Sequence, residues 1–345
     1  MENLKKFEKM LFNYSEMQKS EVEFVCDLIK KNKPKKILEI GIAAGSCSAF
    51  MLNEVKNEPD VKLFGIDYND LYYRDQKKKS GWIIKDVLPE FYQRVEIYTG
   101  GIAASFLDKI GDEIDFCVID TMHVLPGELL DFLMVLPYLK DGAVCVFHDT
   151  NLQNLPIEEG SIVIKEEIDS NKVFYSENSY ATGLLMSVLA CEKIFPEKYL
   201  KKYGLPNIAA FKITPDLRKN IKNVFYALSL PWQYKISDHE KGILEEHIKR
   251  HYDVSDGVFF AQIADIMAKK IDQKKHDQNR TNDEKEKLIK LNSELKISNT
   301  ELLKVLNENN SRIDKLENEL SFILSSKFWK LREINNKFKL TIFHP

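Results

Sequence analysis

The chain has 345 residues, which corresponds to about two domains of ordinary size. Its hydrophobic content of 44% is enough to form a core, so a wholly disordered protein is excluded. The 50 basic and 53 acidic side chains leave a formal charge of -3, the wrong sign for a protein-wide nucleic-acid-binding surface. The five cysteines include no Cys-x-x-Cys pair, which argues against a disulfide framework and a zinc ribbon.

The first 34 residues are predicted to be helical. Ser20 and Glu23 have the spacing of a capping box, and the apolar residues that follow recur at helical intervals until Pro34. The N-terminus has no uninterrupted apolar stretch like that of a secretory signal, and the chain has no long apolar run like that of a membrane span. We therefore expect a cytoplasmic protein that does not cross a membrane.

Residues 35–190 alternate between strand-like runs and stretches that are long enough for helices. Five runs end in small or polar residues, and they cover residues 35–43, 61–67, 95–100, 114–120 and 143–149. Two more runs, 172–176 and 180–186, are predicted to pair as an antiparallel hairpin at the end of the sheet. The pattern predicts an α/β fold with a Rossmann-like, doubly wound, mostly parallel seven-stranded sheet and helices on both faces.

Three further parts are predicted after the sheet: a helical extension over 191–268, a coiled coil over 269–326 and a basic aromatic tail over 327–345. The core positions of the coil repeat every seven residues, and they are Leu288, Leu295, Leu302, Asn309, Leu316 and Ile323 with Asn292, Asn299, Leu306, Ile313 and Leu320. Asparagine at core positions lowers stability but can fix the register of a coil. One long helix folded back on its own domain is the alternative. The tail is expected to lie on an anionic membrane surface, to bind a partner or to pack against its own coil.

The candidate site lies where the strands end, because open parallel sheets bind ligands at the carboxyl ends of their strands. Glu39, Gly41 and Gly45 follow the first strand with a spacing that differs from the Gly-x-Gly-x-x-Gly of dinucleotide-binding proteins. Ser46 is placed to cap the following helix. Asp67 ends the second strand, where a carboxylate can accept hydrogen bonds from both hydroxyls of a ribose. Carboxylates beside a close-approaching backbone suit a ligand that carries an ammonium, a sulfonium and a ribose.

Four segments, in this order, carry a family resemblance: ILEIGIAAGSCSA, LFGIDYND, IDFCVIDTMH and LKDGAVCVFHDT. Over about residues 35–190 the chain resembles the class I S-adenosylmethionine-dependent methyltransferases. Within them it resembles the branch of metal-dependent sugar O-methyltransferases and cephalosporin-hydroxylase-like proteins. The resemblance implies S-adenosylmethionine as the cofactor, with its methionine end at Gly41 and Gly45, its ribose at Asp67 and its adenine at Gly100 and Gly101. The expected cofactor-binding residues are Glu39, Gly41, Gly45, Ser46, Asp67, Gly100, Gly101 and Asp120.

Methyl transfer from a sulfonium needs an oriented acceptor and a base that removes the acceptor's proton. His123, three residues beyond Asp120, is the predicted base, because imidazole titrates near neutral pH. The alternative is that His123 only caps the helix that begins near Pro126. The expected metal ligands are Asp120, His148 and Asp149, with Mg²⁺ as the ion that the resemblance implies. The sugar-methylating relatives have Glu-Asp where this chain has His148-Asp149, so the hard-oxygen set that Mg²⁺ prefers is incomplete.

We therefore predict a methyltransferase that acts on a hydroxyl group. The predicted acceptor is a sugar hydroxyl in a surface polysaccharide or glycan. The expected partners are a small-molecule or glycan acceptor, further copies of the chain bound through the coil, and a membrane or membrane complex met by the tail. The predicted location is the cytoplasm or the inner face of the membrane. Two alternatives remain, a NAD-dependent sugar-modifying enzyme and a scaffold whose methyltransferase domain has lost its activity. The pair His247 and His251 lacks the glutamate of a zinc-binding helix, and we expect it on the surface.

Overall fold

The computed structural model describes residues 2–151, 181–197, 206–325 and 332. Contacts divide the chain into two compact units, Met1–Asp272 and Gln273–Pro345. The predicted strand at 172–176 and nearly all of the predicted tail, 327–345, lie outside the described residues.

The strands, in chain order, are β1 (Lys36–Ile40), β2 (Lys62–Asp67), β3 (Val95–Thr99), β4 (Ile114–Ile119), β5 (Leu139–His148) and β6 (Ile208–Lys212). The α-helices are α1 (Glu2–Phe12), α2 (Lys19–Asn32), α3 (Ser46–Glu54), α4 (Trp82–Val87), α5 (Leu107–Ile110), α6 (Gly127–Val135), α7 (Ala181–Val188), α8 (Pro215–Lys219), α9 (Lys222–Ala227), α10 (Asp238–His251) and α11 (Val254–Ser325). Short 3-10 helices cover Pro89–Arg94, Ala103–Ser105 and Leu136–Tyr138.

The six strands form one sheet in the order β3-β2-β1-β4-β5-β6. The first five are parallel, and β6 pairs antiparallel with β5. The order reverses between β1 and β4, which puts the ends of these two strands beside each other at the switch point where open sheets bind ligands. The predicted Rossmann-like α/β class is confirmed.

The described sheet has six strands where the sequence predicts seven. Residues 181–186, predicted as a strand, belong to helix α7, which buries Ala181, Thr182 and Leu185. These buried residues lie within one helical turn of one another, which fits one face of a helix. The run lacks the alternation of apolar and polar residues that a half-buried strand shows. The antiparallel strand is β6 instead, and it lies inside the range predicted as a helical extension. Its sequence IAAFK is a short apolar run that periodicity alone does not assign to a strand.

Both faces of the sheet are covered, as the near-continuous apolar strands predicted. Alternation along β1 places Leu38 and Ile40 in one buried cluster and Ile37 in the other. Glu39 therefore points to the same face as Ile37, toward helices α2 and α3. Because α2 and α3 cover this face of the sheet, the Glu39 carboxyl group is buried.

The N-cap of helix α2 lies two residues before the predicted one. Its N-cap is Gln18, and Glu21 completes the capping box, so the Ser20–Glu23 pair predicted from the sequence is wrong. The backbone N–H of Gln18 donates to Glu21 Oε2 over 2.7 Å. Glu21, the third residue of the helix, is therefore part of the cap, and its side chain is buried instead of exposed to solvent.

Helix α10 carries His247 and His251, which the sequence places on the surface, and this prediction is wrong for His247. His247 is buried, and its Nε2 lies 2.9 Å from the carbonyl oxygen of Met134 on α6. His251 is half-buried, with its Nε2 3.1 Å from the Tyr138 hydroxyl. The pair thus packs α10 against the region around α6.

Helix α11 runs through the segment with the predicted heptads. Within one chain its apolar residues Leu288, Leu302, Leu306 and Leu316 are exposed. The coiled coil itself stays a prediction. Among the described residues, no helix combines the length and the apolar content needed to cross a membrane.

Candidate active site

The turn after β1 brings the backbone into close contact with the end of β4. Gly41 and Gly45 both have φ of 91°, a left-handed conformation that favours glycine. A Cβ atom on Gly41 would lie 1.8 Å from the carbonyl oxygen of Asp120, so no larger residue fits without moving that strand end. The predicted glycine turn is therefore present, and its backbone packs closely against the end of β4.

Ser46 does not cap helix α3 as the sequence predicted. The helix begins at Ser46 itself, Gly45 occupies the N-cap, and no side chain caps the helix. The reason is that the glycine turn places Gly45 one residue before the first helical position. The buried Ser46 Oγ has no hydrogen-bond partner within the described part of the chain.

Glu39 lies beneath this turn and is only 2% exposed. Its Oε2 accepts a short hydrogen bond from Ser48 Oγ on α3. Burial raises the pKa of the Glu39 carboxyl to about 8. The group can thus change its charge near neutral pH when a cation comes close.

Asp67 joins the end of β2 to the glycine turn. Its Oδ2 accepts from the backbone N–H of Ala43 and its Oδ1 from that of Asn69, each over 2.8 Å. Asp67 is 8% exposed, and burial raises its pKa. The carboxylate is therefore held rigidly at the rim of the sheet, at the second of the predicted strand ends.

Gly100 and Gly101 follow β3, whose last residue, Thr99, pairs with Asp67 in the register of the sheet. Gly100 has φ of 81°, and a Cβ there would approach the Asp70 carboxylate to 3.0 Å. Thr99 Oγ1 donates to Asp70 Oδ1 over 2.6 Å. The structure thus brings the third predicted element to the same rim as the glycine turn and Asp67.

Two strand ends carry the titratable cluster. Asp120 follows β4 and Asp149 follows β5, and the side chains of His123 and His148 lie between and beside them. His123 Nε2 is 3.1 Å from Asp149 Oδ2. His148 Nδ1 is 3.3 Å from Asp120 Oδ1 and 3.5 Å from Asp149 Oδ2. All four predicted residues therefore meet in one place.

Each histidine also touches a buried glutamate that the sequence analysis missed. His148 Nε2 lies 3.2 Å from Glu21 Oε2, and His123 Nδ1 lies 3.3 Å from Glu128 Oε1. Glu128 follows His123 by five residues at the start of α6, so its proximity had a local signal in the sequence. Glu21 is 127 residues from His148, and no sequence pattern links them.

The charges in this cluster oppose the effect of burial. Burial lowers the pKa of His123 and of His148, but nearby carboxylates, Asp149 first, outweigh it and raise both pKa values well above the ordinary range. Burial raises the pKa of Glu128 to about 7, and the charge of His123 limits the rise. For Asp149 the two histidines outweigh burial and lower the pKa.

Asp149 has a strained backbone held by two residues that lie far along the chain. Its φ of 55° is unusual for a residue other than glycine and costs about 1–3 kcal/mol. Asn207 donates a short hydrogen bond from Nδ2 to Asp149 Oδ1, and Thr182 Oγ1 donates to the Asp149 carbonyl over 2.7 Å. Asn207 directly precedes β6, in the range where the sequence analysis found no chemistry.

The cluster includes one set that can hold a metal ion: ligand atoms of Asp120, His123 and Asp149 lie within 4.8 Å of one another. His123 takes the place that the sequence prediction gives to His148. The mixed set of carboxylate and imidazole does not fit the all-oxygen preference of Mg²⁺, and it suits a borderline ion such as Zn²⁺ or Mn²⁺ better. We therefore assign no chemical step to Mg²⁺.

The glycine turn, by contrast, fits the predicted cofactor. It offers two glycines in the left-handed conformation, a buried serine hydroxyl whose hydrogen-bonding capacity is unused within the described residues, and two carboxyl groups, Glu39 and Asp67. These are the groups that an ammonium, a sulfonium and a ribose require.

Residues 38–150 match the family profile described as a methyltransferase domain. An O-methyltransferase from Bacillus cereus, in complex with SAH, is 15% identical, with a TM-score of 0.41, over 62% of this chain and 91% of that chain. The O-methyltransferase TomG from Streptomyces achromogenes, involved in tomaymycin synthesis and in complex with SAM, is 17% identical, with a TM-score of 0.40, over 57% and 81%. The SAH-bound methyltransferase PaMTH1 from Podospora anserina is 12% identical, with a TM-score of 0.39, over 61% and 88%. No curated protein matches the chain.

The family match covers the glycine turn, Asp67 and the strand ends of β4 and β5. The predicted resemblance to methyltransferases is confirmed over these residues, which match a methyltransferase domain.

Proposed function

We propose that the protein transfers a methyl group from S-adenosylmethionine to a hydroxyl group. The observation that carries this proposal is the rim of the methyltransferase domain, where Asp67, the glycine turn and the β4 and β5 ends meet. A donor bound at the glycine turn has the buried cluster of carboxylates and histidines beside it. We infer that the cofactor binds at this rim and that the acceptor binds beside it.

The proposed cofactor contacts follow the geometry of the rim. Gly41 and Gly45 admit the methionine end, Asp67 accepts the ribose hydroxyls, and Gly100 and Gly101 border the adenine. The remaining proposed contacts come from Glu39, Ser46 and Asp120. Solved O-methyltransferases of similar architecture bind SAM or SAH, as the Bacillus cereus and Streptomyces achromogenes structures do.

The proposed base is His123. S-adenosylmethionine supplies an activated methyl group and a good leaving group, so the protein has to orient the acceptor and take its proton. As the new oxygen–carbon bond forms and the sulfur–carbon bond breaks, the hydroxyl proton passes to Nε2 of His123 in its neutral form, which the raised pKa of His123 confines to higher pH. Asp149 Oδ2, 3.1 Å away, stabilises the positive charge that this transfer creates.

Calorimetry with S-adenosylmethionine tests the cofactor site. Asp67→Ala should weaken binding more than tenfold, because each hydrogen bond to a charged acceptor contributes about 1.5–3 kcal/mol. The exposed carboxylate of Asp86 offers a control, and Asp86→Ala should leave the affinity unchanged. Equal affinities for the wild type and Asp67→Ala would contradict the assignment. Binding of NAD without binding of S-adenosylmethionine would favour the nicotinamide-dependent alternative instead.

Turnover tests the base once an acceptor is found. His123→Ala should lower the rate roughly a hundredfold or more while the affinity for S-adenosylmethionine is retained. The exposed His239 is the matched control, and His239→Ala should keep the wild-type rate. An unaltered rate in His123→Ala would remove His123 from the mechanism.

The proposed acceptor is a sugar hydroxyl of a surface polysaccharide or glycan, and the proposed location is the cytoplasm or the inner face of the membrane. The support is the likeness of the segments IDTMH (119–123) and HDT (148–150) to the branch of sugar O-methyltransferases. The sequence SKFWKL (326–331) after the predicted coil also resembles tails of bacterial surface-polysaccharide glycosyltransferases and methyltransferases. Screening nucleotide sugars and glycans for methyl incorporation from labelled donor tests the acceptor class. A scaffold without activity would bind a partner through residues beyond 269 and methylate no acceptor.

A metal-dependent reaction is the second candidate, and the grouping of Asp120, His123 and Asp149 favours it. Because His123 Nδ1 faces Glu128, only Nε2 is available, and it cannot bind an ion and accept a proton at once. Titration with Mg²⁺, Mn²⁺ and Zn²⁺, each with and without S-adenosylmethionine, separates the two candidates. Tight binding of Zn²⁺ or Mn²⁺ that Asp149→Ala abolishes would favour the metal candidate, whereas absence of binding would leave His123 as the base.

A further inference from the structure

Two helix glutamates, Glu21 on α2 and Glu128 on α6, touch the histidines of the cluster from opposite sides. We propose that they are positioning residues, which fix the ring nitrogens that His148 and His123 present to Asp149. This inference rests on the proposed function, because it concerns the geometry of the proposed base and its neighbour. The hydrogen bonds of the two glutamates go to the histidines and to the backbone of Gln18 and Thr121.

One carboxylate oxygen of Glu21 makes two contacts. Its Oε2 accepts from the Gln18 backbone N–H over 2.7 Å, which closes the capping box of α2. The same oxygen lies 3.2 Å from His148 Nε2. Glu21 is 2% exposed and His148 is 5% exposed, so no bulk water competes for this contact. The start of α2 therefore fixes the orientation of the His148 ring.

Glu128 occupies the matching position beside His123. Its Oε1 lies 3.3 Å from His123 Nδ1 and accepts from the Thr121 backbone N–H over the same distance. The residue is fully buried, and its Oε2 has no partner within the described residues. A buried carboxyl group that makes so few hydrogen bonds is costly, which favours a role beyond folding.

With the two contacts that the histidines make to Asp149, the glutamate contacts form one connected row, Glu21–His148–Asp149–His123–Glu128, and Asp120 Oδ1 also lies 3.3 Å from His148 Nδ1. A carboxylate oxygen accepts a hydrogen bond, so the ring nitrogen that faces each glutamate carries an N–H, as does the nitrogen that faces Asp149 while the ring is protonated. His148 then presents Nδ1 to Asp149, and His123 presents Nε2 to it. If the His123 ring were flipped, a carbon would replace Nε2 at the place where the acceptor's proton arrives, and the ring could not act as a base there.

Nuclear magnetic resonance of the full chain with ¹⁵N-labelled histidine tests this inference without a known acceptor. The ring N–H signals of His148 and His123 are assigned by their loss in His148→Asn and His123→Asn. Glu21→Ala should remove the slowly exchanging N–H signal of His148 alone, and Glu128→Ala that of His123 alone. Glu21→Gln and Glu128→Gln should keep each signal but move it upfield, because an amide oxygen is a weaker acceptor than a carboxylate.

The chain offers a matched control on each helix. Glu23 lies on α2 but is exposed, and Asp131 lies on α6 with its carboxylate 2.6 Å from Thr121 Oγ1. Glu23→Gln and Asp131→Asn should leave both histidine signals in place. If an alanine variant does not fold, the glutamine variants still decide the question, since unmoved signals would overturn the inference. The inference is also overturned if the signals survive in Glu21→Ala and Glu128→Ala, or if the controls shift them equally.

The same samples distinguish failure of this inference from failure of the proposed function. Calorimetry with S-adenosylmethionine should give an affinity within about twofold of the wild type for Glu21→Gln and Glu128→Gln. If the wild type binds no S-adenosylmethionine but the ring signals respond as expected, the proposed function fails and the positioning assignment holds. If the donor binds but the signals do not respond, the positioning assignment alone fails.

Discussion

At the scale of single residues, the site depends on polar groups placed where water does not reach. Glu39, Asp67, His123, His148 and Asp149 are all under 9% exposed. Burial moves the pKa of the isolated carboxyl groups upward, whereas the histidines that lie among carboxylates keep their protons to higher pH. The sequence identified these residues from strand ends, but their state of charge depends on what packs around them.

The stability of the protein should depend on Glu39 at alkaline pH. Its pKa rises from the ordinary value of 4.5 to about 8 in the folded state, so the folded protein holds a proton that the unfolded chain has released. The contribution of Glu39 to the free energy of unfolding is fully present below about pH 4.5 and is lost as the pH rises through 8. The loss amounts to about 3–5 kcal/mol. Glu39→Gln should remove this loss in urea unfolding between pH 5 and pH 9. Glu90→Gln, at an exposed site, should keep it, and a parallel loss in Glu39→Gln would show that another group is responsible.

At the scale of elements, the helices that flank the sheet supply the side chains that complete the site. Helix α2 brings Glu21, helix α6 brings Glu128, and the residue before β6 brings Asn207. Helix α10 packs on the region around α6 through His247, whose Nε2 donates to the Met134 carbonyl. The helical extension predicted for 191–268 thus contains an edge strand and parts that hold the strand ends in place.

Acid should weaken the packing of α10 through His247. Burial, followed by the neighbouring His251, lowers the pKa of His247 from 6.5 to about 4. The unfolded chain therefore binds a proton first, and stability is lost as the pH falls from 6.5 to 4, by about 2–3 kcal/mol. His247→Gln keeps a donor for the Met134 carbonyl and should reduce the drop in melting temperature between pH 7 and pH 5. His239→Gln should show the wild-type drop, and an equal drop in all three proteins would exclude His247 as the cause.

At the scale of the whole molecule, the chain consists of two units with different sources of stability. The unit Met1–Asp272 has two buried apolar clusters on the faces of one sheet. In the unit Gln273–Pro345, the apolar side chains of α11 that fall on heptad positions are exposed in a single chain, as at Leu302 and Leu316. An exposed heptad seam over several turns favours association with further copies of the chain.

Removal of residues 281–345 should reduce the oligomer without unfolding the first unit. Light scattering measures the mass, and circular dichroism with calorimetry of S-adenosylmethionine measures the fold of the remaining protein. Asn309→Leu in the full chain offers a second test, because an apolar residue at this core position should strengthen association. A truncated protein with the native mass would contradict the coiled coil, as would a full-length chain that is monomeric at micromolar concentration.

The sequence by itself determined the parallel β1–β5 sheet, the glycine turn and the strand-end residues, because strand periodicity, glycine and terminal carboxylates are local signals. It misplaced the antiparallel strand, since the runs at 181–186 and 208–212 are both short and mainly apolar, and periodicity alone does not decide which of them forms a strand. Only the tertiary structure decided that Glu21 and Asn207 belong to the site and that His247 is buried. Contacts across 58 or 127 residues leave no periodic trace, because a polar side chain satisfies its hydrogen bonds wherever the fold brings a partner.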